Sequence, residues 1–251
     1  RFDAYTADTV RELDQLRSFG VPSDRLRLVP LGVSLHEFGA RPAASGSVRE
    51  RYGCTRPRLA VYAGGFFENK RVDRLVESIA LRKDRWSLLA IGRDVAESPA
   101  NAGACQRLAA ERGVELRVPG VLDRPATLAA LFAADVIVLG SQYEGFGLLP
   151  VEAMAAGRPF VAFDSGAASM LAATGAGSCV RTPQEFAAAL DRLEDPAERA
   201  RIGGLGLRAV AEYSEAAMVR RYLAVYEEVL ARRARPRSDG RGSARRRGPS
   251  G

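Results

Sequence analysis

The stretch DVIVLGSQYEGFGLLPVEAMAAG, residues 135–157, joins a short apolar run, a glycine-rich turn and a second apolar segment. The opening run is rich in β-branched residues and predicts a buried strand. Pro150 is typical of a first helical turn and Gly157 of a helix end, so a helix is expected from about Leu148. The stretch therefore predicts a strand, a tight turn and a helix in direct succession.

The same alternation extends outward along the chain. Four further β-rich runs are RLAVYAG (58–64), WSLLAIG (86–92), VELRVPG (114–120) and RPFVAFD (158–164). Between the runs, apolar residues recur every three or four positions in segments 70–83, 101–113 and 124–134, which is typical of amphipathic helices. The pattern predicts an α/β fold with a Rossmann-like parallel sheet and helices on both faces. Beyond residue 180 it becomes wholly helical, with Thr182 and Ser214 as N-caps.

Composition indicates an ordinary globular protein. The 251 residues are 47% apolar and 27% charged. No apolar run approaches the roughly 18 residues of a membrane span, and no signal peptide is visible, so we expect a cytoplasmic protein. Cys54, Cys105 and Cys179 are odd in number and lack metal-ligand spacing, which favours reduced core thiols. His36, the single histidine, is expected to be a polar loop residue.

The net charge of +7 is located at one end of the chain. Residues 232–251 hold eight arginines and one aspartate, so the rest of the chain is neutral. This Gly/Pro/Ser/Arg composition cannot form a core and predicts a disordered tail. A solvated tail is the simplest interpretation, and contact with an anionic membrane surface is the alternative. Nucleic acid is not expected as a partner.

The glycine-rich turn has the chemistry of an anion site flanked by acids. Gly145 and Gly147 let the backbone approach a ligand, and the N-terminus of the following helix attracts phosphate. Glu144 and Glu152 would repel phosphate, but carboxylates accept hydrogen bonds from paired hydroxyls. Eight helical steps between them would span about 12 Å, a length comparable to a nucleotide-sugar. Solvation of Glu144 and a favourable helix dipole at Glu152 are the structural alternatives.

EGFGLLPVE (144–152) closely resembles the motif of the retaining glycosyltransferases of the glycosyltransferase B fold. This family includes mannosyl- and glucosyltransferases of bacterial envelope synthesis. LRLVPLGVSLHEF (26–38), YAGGFFENKRVDRLVESIA (62–80), LLAIGRD (88–94) and the stretch 120–167 follow in the family's order. The resemblance covers residues 26–180 and implies the C-terminal, nucleotide-sugar-binding half of a two-domain enzyme.

The resemblance also assigns roles to particular residues. Glu144 faces the donor sugar, Lys70 neutralises the diphosphate, and Glu152 holds the ribose hydroxyls. The other binding positions are Gly64, Gly65, Gly145, Phe146, Gly147 and Leu148 around the phosphates, with Gly92 and Val118 near the base. Gly65 stands where many members have an arginine, and Arg71 is the candidate replacement.

The expected activity is transfer of a hexose from a UDP- or GDP-sugar, with retention and without a bound metal or cofactor. The sequence does not identify the acceptor, for which a lipid or envelope glycan is a candidate, and the tail offers contact with the inner face of the membrane. Residues 1–25 are expected to be a junction from a missing N-terminal acceptor domain or partner subunit, followed by the donor domain (26–231) and the tail (232–251). The alternative is a non-catalytic module that binds a nucleotide-sugar without transferring it.

Overall fold

The computed structural model, which describes residues 2–234, begins with a small parallel strand pair. Its elements are β1 (Tyr5–Ala7), α1 (Val10–Ser18) and β2 (Leu26–Leu28). Strands β1 and β2 pair with each other, and Ala7, Leu13 and Leu26 form a core of their own. The predicted boundary between residues 25 and 26 therefore separates β1 from β2, the strand with which it pairs.

A six-stranded sheet forms the centre of the main unit. Its strands are β3 (Arg58–Ala63), β4 (Trp86–Ile91), β5 (Glu115–Gly120), β6 (Val136–Leu139), β7 (Phe160–Phe163) and β8 (Gly177–Val180). Their order across the sheet is β5-β4-β3-β6-β7-β8, and all neighbours are parallel. The order reverses between β3 and β6, so the carboxyl ends of these two strands open a crevice.

Helices surround this sheet, as the sequence predicts. They are α2 (Val48–Arg51), α3 (Val72–Ala80), α4 (Ala102–Arg112), α5 (Arg124–Ala133), α6 (Leu148–Ala155), α7 (Ala167–Ala172), α8 (Pro183–Arg192), α9 (Pro196–Ala209) and α10 (Glu215–Ala234). Helix α3 packs against α4 and α8, whereas α6 packs against α9. Strand β4 is buried along its whole length, which is expected where both faces of a sheet are covered. The α/β prediction is confirmed; none of the described helices has the length and apolar character needed to cross a bilayer.

The C-terminal helices begin where the sequence indicates but extend further. Thr182 Oγ1 accepts from the Glu185 amide and Ser214 Oγ from the Ala217 amide, both at 3.1 Å, which confirms the two N-caps. Helix α10 continues to Ala234, three residues into the predicted tail. Basic residues are favoured in a last helical turn, and those of α10 also form ion pairs with Glu228 and Asp3. The rest of the predicted tail, 235–251, lies outside the described residues.

The three cysteines are free, as predicted. Cys54 and Cys105 are buried, and Cys179 is partly exposed. Burial raises the pKa of Cys54 to about 11 and that of Cys105 to about 12. These thiols are therefore protonated at neutral pH and pack as small apolar side chains. His36 lies exposed in the short 3-10 helix Leu35–Phe38, with Ser34 Oγ 2.7 Å from its Nδ1, which confirms the polar loop position.

Asp135 joins β6 to three other parts of the fold. Its Oδ2 accepts from the Leu59 amide at 2.8 Å and from Arg49 Nη2 at 2.7 Å, and its Oδ1 lies 3.3 Å from Arg199 Nε. Only 17% of the side chain is exposed. Asp135→Ala leaves two partly buried cations without this partner, so we expect the free energy of unfolding to fall by about 3 kcal/mol. Urea unfolding with an unchanged m-value measures this loss.

Asp14→Ala is the matched control. Its carboxylate is 65% exposed and pairs with Arg17 within α1. Such surface pairs contribute little, so a change below about 0.5 kcal/mol is expected. Equal losses in the two variants would contradict the structural role of Asp135.

Candidate functional site

A cavity of about 340 Å³ lies at the crevice between β3 and β6. Its lining residues come from the ends of both strands, from the loops that follow them and from α6: Tyr62, Ala63, Gly64, Lys70, Leu139, Glu144, Gly147, Leu148, Leu149 and Glu152. Lys70, Glu144 and Glu152 are thus brought together although up to 82 positions separate them in sequence (152 − 70). Glu144, Gly147, Leu148 and Glu152 of the predicted motif therefore line one cavity.

Lys70 and Glu144 form an ion pair inside this cavity. Lys70 Nζ donates to Glu144 Oε1 at 2.6 Å and to Oε2 at 2.8 Å. Ser141 Oγ donates to Oε1 of the same carboxylate at 2.7 Å. The side chains are only 25% and 12% exposed, so an incoming phosphate or sugar would meet charges that are already oriented and partly desolvated.

Two loops hold this ion pair in position. The amide of Gln142 donates to the Asn69 carbonyl at 2.8 Å, and Asn69 Nδ2 donates to the Tyr143 carbonyl at 3.3 Å. These bonds fasten the loop after β3 to the loop after β6. These two hydrogen bonds between the loops therefore help to hold Lys70 and Glu144 close to each other.

The glycine turn ends at the start of α6. Gly147 has φ = 75° and immediately precedes the helix, whose N-terminus has no side-chain cap. The amides of Leu148 and Leu149 in the first turn of α6 therefore have no side-chain acceptor, and both residues line the same cavity as Lys70. Phe146 is buried with its ring 6.3 Å from that of Tyr213, and so anchors the turn, while Gly145 faces Glu12 of α1. Of the four predicted turn residues, Gly147 and Leu148 line the cavity.

Glu152 lies one turn into α6 and is bound by an arginine. Arg124 Nη1 donates to its Oε1 at 2.6 Å, and the Glu152 side chain is 16% exposed. Burial raises the pKa of Glu152 above its ordinary value, and the attraction of Arg124 opposes that rise. The ion pair therefore stabilises the carboxylate form, which burial by itself destabilises.

The glycines after β3 and β4 allow two loops to touch. Gly64 lines the cavity, and its carbonyl oxygen would lie 1.7 Å from a Cβ placed on Gly92. The ring of Phe67 covers Gly65, where a Cβ would be 2.5 Å away. Gly65, Gly92 and Val118 are not among the residues that line the cavity: Gly92 packs against Gly64, and Val118 packs at the margin of the core.

Arg71 does not face the cavity. It has φ = 46°, a left-handed conformation, and its Nε donates to both carboxylate oxygens of Asp73 at 3.0 Å. The carbonyl oxygen of Arg71 packs against Gly140: a Cβ on Gly140 would lie only 2.2 Å from this oxygen. The proposed replacement for the family arginine is therefore directed toward the start of α3, because Asp73 binds its guanidinium.

Sequence reasoning missed four polar residues at the site. These are Tyr62 and Ser141 at strand ends, and Arg124 and Glu37 beside Glu152. Tyr62 donates its hydroxyl to the Gly65 carbonyl at 2.9 Å, and burial raises its pKa far above the ordinary value, so it acts as a neutral donor. A polar residue at the end of each central strand is the signal that could have found Tyr62 and Ser141; no local pattern indicates Arg124.

Comparison with known proteins shows the family of this chain. The family model described as "Glycosyl transferases group 1" matches residues 57–195, more than half of the chain. The chain therefore belongs to the group 1 glycosyltransferase family.

Curated relatives extend over most of this chain. An MMP alpha-(1->4)-mannosyltransferase from Mycolicibacterium hassiacum is 34% identical over 90% of the chain and 54% of its own length. A D-inositol 3-phosphate glycosyltransferase from Nocardia farcinica is 33% identical over 84% of the chain and 48% of its length. The chain spans about half the length of the curated relatives it matches.

Solved structures share the fold. Sucrose-phosphate synthase from Thermosynechococcus elongatus superposes with a TM-score of 0.76 at 26% identity, over 92% of this chain and 59% of that chain. Anabaena HepE in complex with UDP-glucose has a TM-score of 0.79 at 17% identity, over 91% and 64% of the two chains. The likeness to HepE concerns the fold alone. The glycosyltransferase B fold predicted from the sequence is thereby confirmed.

Proposed function

We propose that this chain is the donor-binding half of a glycosyltransferase that transfers a hexose from a UDP- or GDP-sugar with retention. One observation carries the proposal: Lys70, Glu144, Glu152 and the N-terminus of α6 line a single cavity at the point where the strand order reverses. Anion-binding groups and hydroxyl-binding carboxylates at one such crevice match a diphosphate between two sugars.

Each group has a separate task in this proposal. Lys70 and the first amides of α6 take the diphosphate, Glu144 accepts from hydroxyls of the hexose, and Glu152 accepts from the ribose diol. The bond between the anomeric carbon and the phosphate oxygen breaks, and its electron pair leaves with the nucleoside diphosphate. An acceptor oxygen then bonds to the anomeric carbon and passes its proton to the oxygen of the departing diphosphate. Preorganised positive groups stabilise the leaving diphosphate by a few kcal/mol each.

Lys70 changes partners in the course of donor binding. Its ammonium group contacts Glu144 at 2.6 Å, and a diphosphate at the start of α6 competes for that cation. Sharing Lys70 between the phosphate and Glu144 leaves the carboxylate partly released toward the sugar hydroxyls. The ion pair thus links the arrival of the phosphate to the orientation of Glu144. We expect transfer to proceed without a bound metal or cofactor.

Nucleotide binding tests the proposal. We expect Lys70→Ala and Glu152→Gln each to weaken binding of UDP or GDP by about 1–3 kcal/mol, because a charged hydrogen-bond partner is lost. Isothermal titration calorimetry with UDP, GDP and other nucleoside diphosphates measures the change. Lys83→Ala, at an exposed position beyond α3, is the control and should bind like the wild type. Unchanged binding in both site variants would remove the donor-site assignment.

A second function is a non-catalytic module that holds a nucleotide-sugar. Helix α10 presents Leu223, Tyr226 and Leu230 with exposed fractions of 53%, 60% and 66%, so three large apolar side chains of this helix face solvent. We propose instead that an acceptor-binding domain or subunit covers this face.

The proposal has three further parts. The acceptor is a lipid or envelope glycan, the protein is cytoplasmic, and the arginine-rich C-terminus contacts the inner membrane surface. Transfer by a longer form that includes a second α/β domain distinguishes an enzyme from a module.

A further inference from the structure

Arg124 connects three elements beside the cavity. It is the first residue of α5, and Asp123 caps that helix by accepting from the Ala126 amide at 2.8 Å. Its guanidinium donates through Nη1 to Glu152 at 2.6 Å and through Nε to Glu37 Oε2 at 2.7 Å. The same group lies 5.6 Å from the ring centre of Phe38, whose side chain is buried. The position of Arg124 is fixed by its helix, two carboxylates and an aromatic ring.

This arrangement occupies only one oxygen of Glu152. Arg124 takes Oε1, and within residues 2–234 no protein group donates to Oε2. Glu152 lines the cavity, so the remaining acceptor belongs to the binding site. A carboxylate with one oxygen held by a guanidinium and the other free has a defined orientation and retains acceptor capacity for a hydroxyl pair.

The charge state of Glu152 depends on its neighbours. Burial raises its pKa, Arg124 lowers it, and the negative charge of Glu37 raises it slightly again. Lys70, Glu144 and the neutral phenol of Tyr62 line the same cavity. A protonated Glu152 would lose acceptor strength toward the ribose. Arg124 is the cation that lowers the pKa of Glu152, and it lies at hydrogen-bond distance from that carboxylate.

We propose that Arg124 positions Glu152 for ribose recognition, and that Glu37 in turn positions Arg124. Arg124 acts through Glu152 and has no contact of its own with the ligand in this account. The inference rests on the proposed function, since it assigns the ribose to Glu152. It also connects the 3-10 helix Leu35–Phe38, which precedes the main sheet, to the donor site through two successive ion pairs.

The test compares nucleotides that differ only at the ribose. UDP or GDP, whichever binds the wild type more tightly, and its 2',3'-dideoxy analogue are titrated into the wild type, Arg124→Gln, Arg124→Lys and Glu152→Gln. We expect Arg124→Gln to weaken the nucleotide roughly tenfold and the dideoxy analogue less than about twofold. Arg124→Lys should recover part of the loss. Arg201→Gln, which breaks an exposed pair with Glu198 on α9, is the matched control and should change neither affinity.

The pH dependence gives a second readout. Both nucleotides carry the same phosphates, so the ratio of their dissociation constants reports on the ribose alone. Because Glu152 must be a carboxylate, the ribose preference should disappear as the pH falls through the pKa of Glu152. Removal of Arg124 raises that pKa, so Arg124→Gln should lose the preference at a higher pH than the wild type. A purely structural ion pair would weaken both nucleotides equally at every pH.

The outcomes separate the inference from the proposed function. If Glu152→Gln abolishes the ribose preference and Arg124→Gln keeps it, Arg124 has no positioning role, while the donor site stands. If Glu152→Gln keeps the full preference, the ribose assignment fails and the inference fails with it. Should Arg124→Gln not fold, Glu37→Gln replaces it, and a smaller loss confined to the ribose-containing nucleotide is expected.

Discussion

This chain alone is expected to transfer sugar roughly 100,000-fold more slowly than a longer form that includes a second α/β domain. The reason is that orienting the two reactants accounts for about 7–11 kcal/mol of the activation barrier. The proposed donor groups line the cavity, and we assign none of residues 2–234 to binding an acceptor. Closure of a cleft between two domains positions the acceptor and excludes water. Slow hydrolysis of the donor is the most that the isolated half should perform.

The assay measures radiolabelled sugar passed from a panel of UDP- and GDP-sugars into a cell-envelope extract. The chain and the longer form are compared at equal concentration, and Lys70→Ala in the longer form is the control that should remove transfer. The backbone amides of α10 should exchange more slowly in the longer form than in this chain, because the second domain would cover the apolar face of the helix. Rapid transfer by the chain alone would refute the need for a second domain.

Gly92→Ala is expected to cause the largest loss of stability among single substitutions at the site. A Cβ on Gly92 would lie 1.7 Å from the Gly64 carbonyl oxygen, and Gly92 has φ = 152°. The clash involves backbone on both sides, so a rotamer change cannot relieve it. We expect the free energy of unfolding to fall by more than about 4 kcal/mol, in the range reserved for strained or disrupted sites.

Gly46→Ala is the control for this substitution. A Cβ there meets no atom within 4 Å, and urea unfolding should show a change below about 1 kcal/mol. A folded Gly92→Ala protein, if obtained at low temperature, should also bind nucleotide poorly, since Gly64 lines the cavity. Near-native stability of Gly92→Ala would mean that the two loops do not meet as the structure shows.

The central strands could be predicted because each carries its own apolar run. The stretches 58–64, 86–92, 114–120 and 158–164 contain β3, β4, β5 and β7, and the opening stretch contains β6 and α6. By contrast, the four-residue β8 was missed. Its sequence GSCV has no strong strand pattern, and only pairing with β7 makes it a strand.

The site was partly predictable for a similar reason. Glu144, Gly147, Leu148 and Glu152 follow one strand within a single turn and helix, so local sequence places them together. Arg124 could not be found in this way, because it meets Glu152 from a different helix, 28 residues away in sequence. Arg71 was interpreted from its place after Lys70, but its left-handed backbone brings Asp73 within reach of its guanidinium.

The most direct measurement is a crystal structure of the protein with UDP-glucose or GDP-mannose. The account predicts diphosphate density at the amides that follow Gly147, with Lys70 in contact, and ribose hydroxyls at Glu152. It would be contradicted by ordered nucleotide elsewhere, for example in the groove between Phe2 and Tyr226, or by an empty cavity at millimolar nucleotide.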